Sequence, residues 1–298
     1  MFVVMGGHGP CWGQRARAVL AAGQAVTVIT RSEAKAQFWR EQGAEAAVLD
    51  VRDVPALAAM FQKARRAFVL NPPASPALNT DAEERRTMQA ILRALQSAGL
   101  EKIVLQSTYG AQPGAHSGDL GVLYEFEEGA RTLETPLCVV RAAYYMSNWT
   151  MGSEAVRSTG ILETMLPATQ RVPMVAPQDV GAVAARLLMA SVAETGVYSV
   201  EGPAWYSPAD VAQALAAVLG RSVRAASLAR ADWLAAYRRA GFSEEAARSY
   251  AHMTDIFISQ AYESPANPLK ARRICTPIFS RFLGSNKSEQ RSCLHSRR

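Results

Sequence analysis

Four glycines near the amino terminus, Gly6, Gly7, Gly9 and Gly13, follow the apolar run Phe2-Val3-Val4-Met5 and precede an Ala-rich helical pattern through Ala16, Val19 and Leu20. Glycines at this spacing strip side chains from a turn, so backbone N–H groups at the positive end of a helix dipole can approach a pyrophosphate. Val26 to Ile29 then reads as a buried parallel strand, which completes an opening βαβ unit of the dinucleotide-binding type. Gly6, Gly7, His8, Gly9, Pro10, Cys11, Trp12 and Gly13 are therefore assigned to the phosphate turn. Pro10 suits the first turn of the following helix, where its missing N–H costs nothing. Trp12 stands where a third glycine would normally let the helix pack closely, and Gly13 takes that role if the turn bulges by one residue. Cys11 admits two readings, packing or a thiol activated by the helix N-terminus.

The residue after the second strand discriminates between nucleotides. An acid there binds the ribose hydroxyls of NAD, whereas a cation accommodates the 2′-phosphate of NADP. Thr30-Arg31-Ser32 offers a cation and no acid, which predicts NADP(H) in preference to NAD(H).

These residues need a scaffold, and the rest of the chain supplies one. Helical patterns at 33–43, 54–64, 80–98 and 123–133 alternate with apolar strands at 44–49, 67–70, 103–106 and 137–140. Regular alternation predicts an α/β fold, a Rossmann-like doubly wound parallel sheet. Ligands in such sheets bind at the carboxyl ends of strands, here Gly6–Gly13, Arg31, Asp50, Asn71–Pro73, Ser107–Tyr109 and Arg141–Tyr145. After residue 150 the alternation loosens, with helices expected at 177–188, 208–219 and 231–250 (broken at Gly241) and strands at 197–201 and 223–228. The expected organisation is a nucleotide-binding unit over 1–150, rejoined by 170–202, a smaller α+β carboxyl-terminal lobe over 151–263 that forms a substrate pocket, and a basic flexible tail over 264–298.

Charge is unevenly placed. Eight of the 32 Lys and Arg but one of the 26 Asp and Glu lie from Ser264 onward, leaving 24 against 25 in the first 263 residues, net −1. A nearly neutral body argues against nucleic-acid binding by it. No apolar run reaches membrane-spanning length and a strand begins at residue 2, so neither membrane partner nor signal peptide is expected, and the location expected is cytoplasmic. Cys11, Cys138, Cys275 and Cys293 have no metal-ligand spacing, and no metal is expected; Cys138, inside LCVV, reads as core. His116 reads as a solvated loop histidine.

The segments GGHG, VTVITR, AEAAVLDVRD, FVLNPP, KIVLQSTYGAQ, VVRAAYYMSNW, VPMVAPQDVGAVAARLL and GVYSVEGPAWYSPADVAQALAAVLG, in this order over residues 2 to 262, resemble the NmrA-like family of atypical short-chain dehydrogenase/reductases. The resemblance implies an NADP-binding Rossmann domain, a small second lobe and a pocket between them; some members reduce quinones, dyes or azo compounds and others sense redox state without catalysis. It implies that Asp50 and Val51 flank the adenine, Asn71 and Pro72 the ribose or pyrophosphate, and Ser107 and Thr108 the nicotinamide ribose. Ala142, Ala143, Tyr144 and Tyr145 would line the ring pocket, and Tyr124 would face the nicotinamide. Each has a structural alternative: a cap for Asp50, a turn for Asn71-Pro72-Pro73, a loop cap for Ser107 and Thr108, core aromatics for Tyr144 and Tyr145.

The superfamily's usual proton donor is a Tyr-x-x-x-Lys dyad, whose lysine lowers the tyrosine pKa. The residues four before Lys35, Lys63, Lys102, Lys270 and Lys287 are Arg31, Ala59, Ala98, Ala266 and Leu283, so the dyad is absent. Hydride transfer to a conjugated acceptor is less demanding, because a delocalised product takes its proton from water. The reading favoured is an NADPH-dependent reductase of a quinone, azo dye or enone, with Tyr124 or Tyr145 as orienting hydroxyls. The competing reading is a non-catalytic NADP sensor with a protein partner; an epimerase or dehydratase, which needs the missing pair, ranks third.

Overall fold

The computed structural model describes residues 1–6, 13–273 and 279. Strand β1 (Phe2–Met5) ends at Gly6, and helix α1 (Gln14–Ala21) and strand β2 (Val26–Thr30) come next among the described elements. The alternation continues through α2 (Glu33–Glu41), β3 (Glu45–Val48), α3 (Val54–Gln62), β4 (Arg66–Val69), α4 (Thr80–Gln96), β5 (Lys102–Thr108), α5 (Asp119–Arg131) and β6 (Leu137–Ala142). With β10 (Gly196–Glu201) and β13 (Leu269–Lys270), these strands form an eight-stranded sheet ordered β13-β10-β6-β5-β4-β1-β2-β3, parallel throughout. Its central strands are buried along their whole length, as a sheet covered by helices on both faces demands. The chain winds outward from β1 in both directions, so a topological switch point lies between β1 and β4.

Gly6 ends β1 at φ +74°, and a Cβ there would lie 2.5 Å from Leu70 Cδ2. Only glycine fits, because both the backbone angle and the space exclude a side chain.

The second lobe has its own small sheet, in which β9 (Val172–Val175) pairs with β7 (Tyr144–Tyr145) and β11 (Trp205–Tyr206). Strands β8 (Ile161–Thr164) and β12 (Arg224–Ser227) form a separate parallel pair. Around them lie α6 (Ser153–Thr159), α8 (Pro208–Leu219), α9 (Trp233–Arg239) and α10 (Glu244–Ser259), whereas α7 (Pro177–Met189) packs against α1 and the large sheet. Met146, Trp149, Leu162, Met174 and Leu215 belong to a core distinct from that of the large sheet. Helix α8 starts where Ser207 and Asp210 cap each other reciprocally, with Pro208 in the first turn. Among the described residues no helix is long and apolar enough to cross a membrane.

Two features differ from expectation. Helix α5 begins at Asp119, four residues before Leu123, because its N-cap is Gly118 (φ +54°), which offers no side chain and so no capping signal. The segment expected to begin a flexible tail is instead docked through residue 273. Leu269 and Lys270 pair with Val200 and Glu201, Lys270 forms an ion pair with Glu201, and Arg273 forms one with Asp179. The physical reason is charge: Glu201 and Asp179 are buried acids, and the tail's basic residues neutralise them.

Candidate functional site

The carboxyl ends of β1, β2, β4, β5 and β6 bring Gly6, Arg31, Asn71, Ser107, Thr108 and Ala142 to one edge of the sheet. Gly7, His8, Gly9, Pro10, Cys11 and Trp12 lie outside the described residues. Gly13 is the N-cap of α1, and its carbonyl accepts from the Arg17 N–H at 3.1 Å. Arg31 is exposed just past β2, with no acid among the described residues in ion-pair contact with it. Asp50 is exposed, and its Oδ1 accepts from the Arg52 N–H at 2.9 Å. The cap of α3 is Asp53, not Asp50. Val51 is buried in the main core, and Ala142 and Ala143 are buried where β6 ends.

Ser107 is committed to structure. Its hydroxyl donates to Glu127 Oε1 at 2.5 Å, and Glu127, wholly buried on α5, also receives Arg141 through Nε (2.8 Å) and Nη2 (2.7 Å) and Arg131 through Nη2 (3.1 Å). Two guanidinium groups compensate one buried carboxylate, and the bidentate Arg141 fork fixes α5 against β6. The same contacts hold Arg141 above its ordinary value. Thr108 is half-buried and donates to the Tyr109 carbonyl at 3.3 Å.

A second buried glutamate has different company. Glu84, on α4, accepts from the Ala74 N–H at 2.9 Å, and its backbone carbonyl accepts from Asn71 Nδ2 at 3.0 Å. Its carboxyl is hydrogen-bonded to that of Asp119 in the first turn of α5, with Asp81 also near. Two carboxyl groups form such a bond only when one keeps a proton, and burial with two neighbouring acids holds Glu84 well above the usual carboxylate range. Asp81 accepts from Ser249 Oγ of α10 at 2.8 and 2.9 Å, and Ser249 accepts from the Gly118 N–H at 2.9 Å, which fastens the start of α5 beneath the second lobe. Asn71 Oδ1 is buried with no hydrogen-bond partner.

Tyr145 lies between opposing influences. Burial pushes its hydroxyl up to about 12, Arg15 opposes that and Asp119 adds to it. Arg15, on the first turn of α1, is buried with its guanidinium 4.1 Å from the centre of the Phe68 ring and Nη2 3.2 Å from Gln106 Oε1. Burial pulls it down to about 10. Tyr144 turns into the second lobe, stacked on Phe257 at 5.5 Å and tilted against Trp149 at 5.7 Å. Tyr124 is half-buried on α5 and faces the Arg141 side of the edge.

The described lysines at this edge are Lys35, in the first turn of α2, and Lys270, paired with Glu201 at the end of β10, and neither follows a tyrosine by four residues. Lys102 is buried at the opposite, amino end of β5, where Nζ donates to the Ser191 carbonyl at 2.8 Å. Among the described residues no group of three or more His, Cys, Asp or Glu could hold a metal ion. Cys138 is buried in the core with its thiol pushed up by burial, and His116 is exposed at φ +55°. Sequence reasoning missed Arg15, Glu84, Asp119 and Glu127. For Arg15, Glu84 and Glu127 the available signal was a charged residue where the helical period calls for an apolar one, and Asp119, ahead of the pattern that begins at Leu123, gave none.

Comparison with known proteins gives the fold its relatives. The chain is 28% identical over 225 residues to an NAD(P)H azoreductase of Xenophilus azovorans, covering 75% of this chain and 76% of that protein. An NADPH-dependent quinone oxidoreductase of Escherichia coli superposes with a TM-score of 0.72 at 20% identity, over 99% of this chain and 100% of that one. A triphenylmethane reductase of Citrobacter sp. superposes with a TM-score of 0.75 at 18% identity, over 99% and 98%. At these identities the two structures establish the fold alone. The family assignment rests on a match to the NmrA-like family model that spans residues 1–282. The chain belongs to the NmrA-like family.

Proposed function

We propose that this chain is an NADPH-dependent reductase that passes a hydride to a small, planar, conjugated acceptor such as a quinone, azo dye or enone. The observation that carries the reading is the meeting of Gly6, Arg31 and Asn71 along one sheet edge, with Tyr145 beside Arg15 and no Tyr-x-x-x-Lys dyad in the sequence. The azo-reducing relative supports the same chemistry. In this reading residues 1–150, rejoined by 170–202, bind the nucleotide, and 151–263 wall the acceptor.

The residues fit such a nucleotide. Gly6 lets the chain turn at φ +74° against Leu70 where β1 ends, and the buried Asn71 Oδ1 lacks a donor that a ribose hydroxyl would supply. Arg31 is exposed where a 2′-phosphate would reach it, which favours NADP(H) over NAD(H). The nicotinamide, when bound, supplies the hydride. Tyr145 keeps its proton on Oη through neutral pH, so it orients the acceptor by donating a hydrogen bond and is not a base. Ala142 and Ala143 leave space above β6, and the second lobe excludes water.

The test is anaerobic mixing of the chain and NADPH with a panel of quinones, azo dyes and enones, followed by loss of reduced-nicotinamide absorbance. Oxidation above the enzyme-free rate for at least one acceptor is expected. The missing dyad also fits a non-catalytic NADP sensor with a protein partner. Tight nucleotide binding with no turnover across the panel would favour that second reading.

A further inference from the structure

At the far side of the same edge, where β5 and β10 end, a small cavity opens to solvent. Tyr109, Pro173, Glu201, Trp205, Tyr262 and Pro268 line it. Three rings and three prolines (Pro265 with the two above) make a flat, largely apolar lining, and its outer wall is the docked carboxyl-terminal segment.

Tyr109 is the unusual member. It is 5% exposed, yet its hydroxyl, beside the Glu201 carboxylate, makes no hydrogen bond of normal geometry. Buried polar groups ordinarily find partners, and a buried donor left unsatisfied destabilises the fold. Glu201 is already engaged by Lys270. Burial first, then the Glu201 charge, holds the Tyr109 phenol far above its ordinary value, so it stays a donor at every physiological pH.

The rings are held in place. Tyr262 stacks on Phe257 at 6.2 Å with planes 7° apart, and Phe257 stacks on Tyr144. Gly110, at φ +76°, lets the chain pass close beneath Tyr262, since a Cβ there would come within 3.2 Å of the ring. An unsatisfied donor set among fixed rings suits a ligand that is flat, uncharged and carries a hydrogen-bond acceptor.

We propose that this cavity is the subsite for the acceptor's planar ring system, with Tyr109 Oη donating a hydrogen bond to a ring carbonyl oxygen and the Tyr262 and Trp205 rings packing against the aromatic face. This deepens the reductase reading and rests on it. It makes Tyr109 a substrate-binding residue and gives the carboxyl-terminal segment a part in choosing the substrate.

The test uses two flat probes that the chain does not need to reduce, 1-indanone and its deoxygenated analogue indane. Each is titrated by ligand-observed NMR without nucleotide. The wild-type chain is expected to prefer indanone by about fivefold to tenfold, the size of one neutral hydrogen bond, and Tyr109→Phe is expected to abolish the preference while still binding indane. Ser264→Trp, at an exposed residue on the cavity rim, is expected to weaken both probes alike. Equal affinity of the wild type for the two probes, no binding of either, or a preference that survives Tyr109→Phe would overturn the proposal. Because no hydride moves, the titration fails or succeeds independently of turnover with NADPH. Failure of the subsite and failure of the reductase reading are thus distinguishable.

Discussion

Two glutamates on neighbouring helices teach how this edge is built. Glu127 on α5 and Glu84 on α4 are both buried, at 0% and 4% exposure. Glu127 meets two arginines and a serine hydroxyl; Glu84 meets a backbone N–H and two further acids. The same side chain at the same depth therefore takes opposite roles. The first is a carboxylate that clamps β6 to α5, and the second keeps a proton. Burial first, then the neighbouring acids, raises Glu84, whereas Glu127 has guanidinium partners in hydrogen-bond contact.

The largest expected effect comes from breaking the clamp. Glu127→Gln removes the charge that compensates Arg141 and Arg131, and should cost about 3 kcal/mol, as for a buried pair that loses one partner. Thermal unfolding should register a fall in Tm of roughly 2–4 °C per kcal/mol. An unchanged Tm would show that the arginines are satisfied without it.

Glu84→Gln tests the other half, with the sign reversed. A carboxyl whose folded pKa is raised binds its proton more tightly folded than unfolded, so its contribution is greatest below the ordinary value of about 4.3 and is lost as pH rises toward the raised value. Gln imitates the protonated form and can still accept the Ala74 N–H. The variant should therefore melt several degrees above wild type at pH 8, and the two should converge toward pH 4.5. A variant less stable than wild type at pH 8 would mean that Glu84 is ionised in the fold.

Much of the fold was legible because parallel strands buried on both faces must be apolar throughout, and FVVM, VTVIT and the Val-rich β6 announce themselves. Strand β13 was not. It is two residues long, follows a Pro-rich stretch, and exists because Glu201 and Asp179 need cations. The strand-end positions of Arg31, Asn71 and Ala142 followed from topology alone. The Glu127–Arg141 clamp did not, since its members are 14 residues apart on different elements and only tertiary contact joins them. Ser107 illustrates the limit: its place at the end of β5 was read correctly, but its hydroxyl is engaged by a glutamate that no local pattern links to it.

Smaller effects sharpen the contrast at the exposed end of the edge. Arg31→Asp should weaken NADPH relative to NADH by roughly 1–3 kcal/mol, the size of a lost charge-assisted contact, as measured by calorimetric titration. Equal loss for both nucleotides would mean that Arg31 does not read the extra phosphate. Smallest of all, Tyr145→Phe should lower turnover modestly without adding or removing an ionisation below pH 10, because burial pushes the hydroxyl it deletes up to about 12. A pH–rate profile that loses a limb in the neutral range would contradict a purely orienting phenol.

The central claim is that the first crossover grips a phosphorylated nicotinamide. Calorimetric titration of the wild-type chain with NADPH and with NADH tests it most directly. Saturable binding of one NADPH per chain, tighter than NADH, is the predicted result; no binding of either nucleotide, or equal affinity for both, would contradict it.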